Sequence, residues 1–363
     1  MPKKTIITIV GARPQFIKLA PLCPQLDQHF NHIVIHTGQH FDKNMSQIFF
    51  DQMNIRKPDL NLAISGGSHG KQTGEMLIEL EKVILDKYPD LVIVFGDTNS
   101  TLAGALAASK LHISVLHIEA GLRSFDKKMP EEINRICTDH ISTILSAPTQ
   151  TAVTNLKNEG ITRNVHFHGD IMLDAQNHFR NLIKTKHHPS LTNKLNLKPN
   201  EFALLTLHRP SNTDNKTVLT DIMTTLGTID LPIVFPIHPR TQQKLAEFTI
   251  HFPKNIQCID PIGYLDMLSL LTNTKFVLTD SGGIQKEAFF VKKPCITLRD
   301  TTEWVETIQN GANRLVMDSP TQLNKESLHN ALNTIDSFSF KGNPFGTGKA
   351  TDHIIKLIDQ QLK

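Results

Sequence analysis

Short β-branched runs alternate with longer amphipathic stretches along almost the whole chain, a pattern that stacked βαβ units on parallel sheets satisfy. In the first half the runs predict strands over residues 5–10, 32–36, 91–95, 114–118, 144–147 and 165–168. Helical periodicity lies between them, over 72–87, 101–110, 131–140 and 149–159. Leu91-Val92-Ile93-Val94-Phe95 is continuously apolar, as a strand covered on both faces should be. The alternation lapses over 184–200, which reads as a linker. It resumes with strands over 202–207, 233–237, 256–259, 276–279, 295–298 and 314–316, and a last amphipathic helix covers 349–362. Two doubly wound α/β halves of similar size follow, with a ligand cleft between them. The 363 residues suit two domains at roughly 100–200 residues each.

Composition removes several classes of function. With 39% hydrophobic and 20% charged residues the chain is globular rather than disordered. Thirty-eight basic against 35 acidic residues leave a net charge of +3, too little for a nucleic-acid partner. No run approaches the ~18 apolar residues of a membrane span, so no membrane insertion is expected. Ile6–Val10 is too short for a signal-peptide core, which predicts a cytoplasmic protein. Cys23, Cys137, Cys258 and Cys295 form no CxxC pair, and none of the 18 histidines sits in an HExxH pattern, so no metal is expected.

In open parallel sheets ligands bind beyond the carboxyl ends of the strands, and here those segments are polar and glycine-rich. Gly11-Ala12-Arg13-Pro14-Gln15-Phe16-Ile17-Lys18 follows the first strand. Its helix start favours an anion and Arg13 and Lys18 add cations, although an ordinary turn with solvated charges fits as well. Two later strands end on carboxylates, Asp97 in Gly96-Asp97-Thr98 and Glu119 in Glu119-Ala120-Gly121-Leu122-Arg123. Glu131 and Glu132 open the next helix. Helix capping and dipole compensation account for Asp97, Glu131 and Glu132, but not for Glu119. Carboxylates converging at one sheet edge raise one another's proton affinity, which makes them candidates for proton transfer.

In the second half, His208-Arg209 and His238-Pro239-Arg240 each follow a strand. Asp280-Ser281-Gly282-Gly283 is a strand-to-helix turn whose N–H groups suit a phosphate, with Glu287 one turn on to accept from ribose hydroxyls. A Gly-Gly turn that only permits tight packing is the structural alternative. Two other glycine motifs fall short. Ser65–Gln72 lacks the first glycine of a P-loop, and Gly346-Thr347-Gly348 lacks the third glycine of a dinucleotide fingerprint, so no nicotinamide cofactor is expected.

The ordered motifs Gly11–Pro14 with Lys18, Gly96–Thr98, His117–Arg123, Pro130–Arg135, His208-Arg209, Asp280–Gly283 and Arg299–Glu303 together resemble the non-hydrolysing UDP-N-acetylglucosamine 2-epimerases from end to end. The resemblance implies a GT-B-like α/β fold. Two Rossmann-like doubly wound parallel-sheet domains, over 1–185 and 200–345, would flank the active-site cleft, with a C-terminal helix over 346–363 returning to the first. It also implies a homodimer, a UDP-sugar substrate, no cofactor and a place in cell-envelope polysaccharide biosynthesis. The implied reaction inverts C2: UDP leaves C1 as the C2 proton is removed, and UDP re-adds to the 2-acetamidoglucal with protonation on the other face. Carried over by motif, Asp97, Glu119 and Glu131 handle the proton and His208 is an acid or charge stabiliser. Arg13, Lys18, His238, Ser281, Gly282, Gly283 and Glu287 would hold the UDP-sugar. The chain departs from the family where many members read Thr-Glu-Arg-Pro-Glu and it has Thr302-Glu303-Trp304-Val305-Glu306. It departs again at Gln39-His40-Phe41-Asp42, where the allosterically regulated bacterial members carry arginine after Gln-His. Trp304 looks like the branch that includes epimerases of UDP-2,3-diacetamido-2,3-dideoxy-glucuronate, the alternative substrate. A GT-B glycosyltransferase is the alternative reaction class, though it gives Asp97, Glu119 and Glu131 no task.

Overall fold

The structure, a computed structural model, describes residues 3–39, 50, 51, 53, 55–185 and 191–363. His40, Phe41 and Asp42, and residues 186–190 of the expected linker, lie outside the described residues. The chain divides into one unit of residues 1–179 with 343–363, and a second of 180–342.

The first unit carries seven strands: β1 (Thr5–Val10), β2 (Asn31–His36), β3 (Leu60–Asn61), β4 (Leu91–Phe95), β5 (Ser114–Ile118), β6 (Ile144–Ala147) and β7 (Val165–Phe167). They form one parallel sheet in the order β3-β2-β1-β4-β5-β6-β7. Every residue of β4 is fully buried, which explains its unbroken apolar sequence. Ile7, Ile9, Val92, Val94 and Val115 share a core with Met76, Leu80 and Ile84 of the helix His69–Lys87. Ser68 caps that helix by accepting from the Lys71 N–H at 3.4 Å, so the Ser65–Gln72 stretch serves a helix start. The helix Ala350–Gln361 belongs to this unit. Its first N–H groups donate to Asp174, from Thr351 at 2.8 Å and from Ala350 at 3.2 Å.

The second unit repeats the plan with β8 (Ala203–Thr206), β9 (Ile233–Pro236), β10 (Ile256–Ile259), β11 (Phe276–Thr279), β12 (Cys295–Thr297) and β13 (Asn313–Leu315). The order is β10-β9-β8-β11-β12-β13, again all parallel. Alternate strand residues feed two cores. Leu205, Phe235 and Leu278 join the helix Lys216–Leu226 on one face, and Leu204, Val234 and Val277 join Leu270 and Ala288 on the other. Part of the expected linker is folded instead. A short helix Leu191–Lys194 leads into Leu195 and Leu197, which pack against the second of these cores.

Each sheet reverses its strand order once, between β1 and β4 and between β8 and β11. Loops leaving the carboxyl ends of those strands in such sheets diverge to opposite faces and open a crevice, which makes these two places the candidate ligand sites.

Candidate functional site

At the first unit's reversal, Gly11 has no room for a side chain. A Cβ there would lie 2.1 Å from Ser100 Oγ and 2.2 Å from Thr37 Oγ1. The helix Arg13–His29 then begins, and Gln15, 1% exposed, fills the turn. Its Oε1 accepts from the N–H groups of Gly11 at 2.7 Å and Ala12 at 3.0 Å. Its Nε2 donates to the carbonyl of Phe95 at 2.8 Å and to Thr98 and Thr101 at 3.0 Å each. Gln15 thus occupies the Gly11 and Ala12 N–H groups and Pro14 has none to give, so this turn offers an anion fewer N–H groups than its sequence suggests. Arg13, at the first helical position, and Lys18, one turn on and 6% exposed, remain as cations.

Asp97 does not cap the next helix, Asn99–Lys110. Thr98 does, in a reciprocal box with Thr101. The Asp97 carboxylate pairs instead with Arg135, which also holds Glu132 at 2.9 Å. Glu119 closes β5 in a left-handed conformation, φ 75°, that costs a non-glycine residue about 1–3 kcal/mol. Its N–H and that of Ala120 both donate to the Ser146 carbonyl, and its carboxylate pairs with Lys18 in a buried contact. Asp97 and Glu119 thus each meet a cation, which offsets the mutual repulsion expected of converging carboxylates. Of the two glutamates that open the helix Pro130–Ile141, Glu131 faces solvent. Glu132, 1% exposed, accepts from Ser124 N–H, Ser124 Oγ and Phe125 N–H at 2.9 Å each.

At the second unit's reversal the hub is Asp280, fully buried between β8 and β11. It accepts from the N–H groups of His208 at 2.9 Å and Arg209 at 2.8 Å, and from Asn212 Nδ2 at 3.2 Å. His208 Nδ1 lies 3.1 Å from its Oδ1, and the His208 side chain is 46% exposed. Burial alone pushes the Asp280 carboxyl up, but the His208 contact and the two backbone N–H groups hold it below its ordinary value. Sequence reasoning named Asp280 only as part of a turn. The signal that singled out Glu119, a carboxylate closing an apolar strand, was present here too.

Ser281 begins the helix Gly282–Phe290 and makes no side-chain cap. Glu303 closes round this turn, because a Cβ on Gly282 would lie 2.2 Å from its Oε1. Burial raises the Glu303 carboxyl, and Arg299 at 2.9 Å and Arg209 at 3.9 Å overcome that to hold it low. Gly283 is exposed, and Glu287 is 6% exposed in the same helix. Trp304 is buried with Lys286 Nζ 4.1 Å from its ring centroid. His238 caps the helix Pro239–Glu247, its Nδ1 accepting from the Arg240 N–H at 3.2 Å. Arg13, Lys18, Asp97, Glu119 and Glu131 thus belong to the first unit, and His208, His238, Ser281, Gly282, Gly283 and Glu287 to the second.

The sequence profile described as UDP-N-acetylglucosamine 2-epimerase matches residues 24–359. A Methanococcus maripaludis relative, a UDP-N-acetylglucosamine 2-epimerase homolog, is 50% identical across 97% of this chain and 99% of its own. The UDP-2,3-diacetamido-2,3-dideoxy-D-glucuronate 2-epimerase of Pseudomonas aeruginosa is 48% identical across 97% and 99%. The crystal structure of Methanocaldococcus jannaschii UDP-GlcNAc 2-epimerase with UDP-GlcNAc and UDP matches at a TM-score of 0.87 and 46% identity, covering 98% of this chain and 99% of that one. The Neisseria meningitidis enzyme bound to UDP-GlcNAc matches at 0.87 and 30% identity, covering 98% and 100%.

Proposed function

The chain belongs to the UDP-N-acetylglucosamine 2-epimerase family, with that family's GT-B-like pair of Rossmann-like units, and from this premise we propose how its residues divide the work of an isomerase. The protein interconverts UDP-N-acetylglucosamine and UDP-N-acetylmannosamine. UDP leaves C1 while the C2 proton is taken, and UDP returns to the 2-acetamidoglucal as C2 is protonated on the opposite face. Residues 1–185 move the proton, through Asp97, Glu119 and Glu131, with Arg13 and Lys18 beside them. Residues 200–345 hold UDP, with Ser281, Gly282 and Gly283 at the diphosphate, Glu287 at the ribose and His238 nearby, while His208 stabilises the departing charge.

The observation that carries this division is chemical: the first unit's sheet reversal presents carboxylates on cations, and the second presents an uncapped helix start. An unactivated C–H needs a placed carboxylate, whereas a leaving diphosphate needs N–H donors and cations. A homodimer, a cytoplasmic location and a role in cell-envelope polysaccharide synthesis rest on family likeness alone.

Incubation with UDP-N-acetylglucosamine in deuterated water, with no acceptor present, tests the reaction. Deuterium at C2 in both epimers is expected, and a transferase or a binding protein leaves C2 protonated. The Pseudomonas relative and Trp304 favour a second reading, UDP-2,3-diacetamido-glucuronate as the substrate. The same incubation with that sugar nucleotide decides between them.

A further inference from the structure

His117 is fully buried on β5, two residues before Glu119, and both of its ring nitrogens are engaged. Nε2 lies 2.7 Å from the Gly96 carbonyl and Nδ1 lies 2.7 Å from Asp139 Oδ1. A carbonyl can only accept. The Asp139 carboxyl, which burial alone would raise, is held low by His117 and Arg123 and so also accepts. The ring therefore donates from Nε2 to Gly96, with Nδ1 against the Asp139 carboxylate. Asp139 spends its second oxygen on the Gly121 N–H at 3.1 Å and on Arg123 Nη1 at 2.7 Å. Arg123 is in turn pinned by Glu159, at 2.6 and 2.8 Å.

These bonds straddle both carboxylate-bearing turns. His117 grips the carbonyl of Gly96, the residue before Asp97, while the Gly96 N–H donates back to the Ile118 carbonyl at 3.0 Å. Asp139 grips Gly121 on the far side of Glu119. Gly96 and Gly121 reach φ 63° and 83° freely as glycines, but Glu119 at 75° does not, so the Glu119 turn lies in a conformation that its backbone would not hold unaided.

We propose that His117 and Asp139 form a positioning pair that fixes where the Asp97 and Glu119 carboxylates lie. The proposal rests on the reading that those carboxylates move the C2 proton. Neither His117 nor Asp139 needs to touch substrate. Misplacing a reacting group by ~1 Å costs about 10²-fold in rate.

The test compares His117→Phe, which keeps the ring volume and loses both bonds, with His117→Gln, which can still donate to Gly96. Turnover at saturating substrate should fall about 10²-fold in His117→Phe and less in His117→Gln, with UDP affinity unchanged in both. A packing role predicts the reverse order, because phenylalanine fills the space better, and that order overturns the proposal. So does a loss of UDP affinity in proportion to turnover. Should His117→Phe fail to fold, nitrogen NMR of the histidine-labelled wild-type protein decides: a hydrogen-bonded proton on Nε2 supports the pair and a bare Nε2 overturns it. Glu119→Gln is measured alongside. If that variant keeps its turnover the proton-transfer reading fails, whereas an inactive Glu119→Gln beside a fully active His117→Phe removes only the positioning pair.

Discussion

The two sheet reversals share a topology and treat their hydrogen-bond donors in opposite ways. In the first unit Gln15 plugs the turn after β1, Thr98 caps the next helix, and Asp97 and Glu119 each sit on a cation. In the second unit the helix Gly282–Phe290 starts without a side-chain cap and His208 stands half-exposed on buried Asp280. Saturating a turn fixes carboxylates in place, and proton transfer needs that. A helix start without a side-chain cap keeps N–H groups for an anion, here with the Glu303 carboxylate beside Gly282. The same fold thus supports a pre-set half and a receptive half.

The largest effects should come from the pre-set half. Asp97→Asn, Glu119→Gln and Glu131→Gln should each lower kcat by about 10²–10⁴-fold while UDP affinity holds. Glu131 is the sharpest of the three, since it faces solvent while its neighbour Glu132 is buried in hydrogen bonds. Normal turnover in Glu131→Gln would remove it from the mechanism. Glu119→Gln also leaves buried Lys18 without its counter-charge, so thermal unfolding should accompany the kinetics.

Smaller effects belong to the receptive half. Glu287→Ala should weaken UDP binding roughly 10- to 100-fold by calorimetry, the worth of about 1.5–3 kcal/mol for a hydrogen bond to a charged acceptor. The adjacent glycines should separate. Gly282→Ala drives its Cβ against Glu303 and should cost about 1–3 kcal/mol in denaturant unfolding, whereas Gly283→Ala meets nothing closer than 3.9 Å and should stay within about 0.5 kcal/mol.

The last effect lies away from both reversals and is read in stability alone. Burial, with His166 and His353 beside it, pushes His168 from the usual 6.5 down to about 4. The unfolded chain then takes up the proton first, so this contribution to stability is complete above pH 6.5 and declines as pH falls towards 4. His168→Gln should flatten the fall in Tm between pH 7 and pH 5 without changing kcat at pH 7. An unchanged slope assigns the acid sensitivity to other groups.

Much of this was legible in the sequence. The limits of β1, β4, β5, β6 and β11 follow from their apolar runs alone, because those strands are buried on both faces. The two-residue β3 and the antiparallel pair β14 (Met317–Ser319) and β15 (Gln322–Leu323) are too short to set a period. The motifs located both reversals, but not who satisfies whom. His117, Asp139 and Asp280 act through bonds to groups about 20 to 70 positions away, and Gln15 joins its local bonds to one with distant Phe95, relations that no local spacing encodes. Burial likewise chose Glu132 over Glu131 within one helix turn.

One crossed measurement tests the division of labour: UDP affinity and C2 deuterium exchange, both read on Glu119→Gln and on Glu287→Ala. The account predicts that Glu119→Gln binds UDP like the wild type and loses exchange, and that Glu287→Ala binds UDP roughly 10- to 100-fold more weakly while its exchange at saturating substrate persists. If Glu119→Gln loses UDP affinity as severely as exchange, or Glu287→Ala loses exchange with its affinity intact, the two units do not divide the work as described.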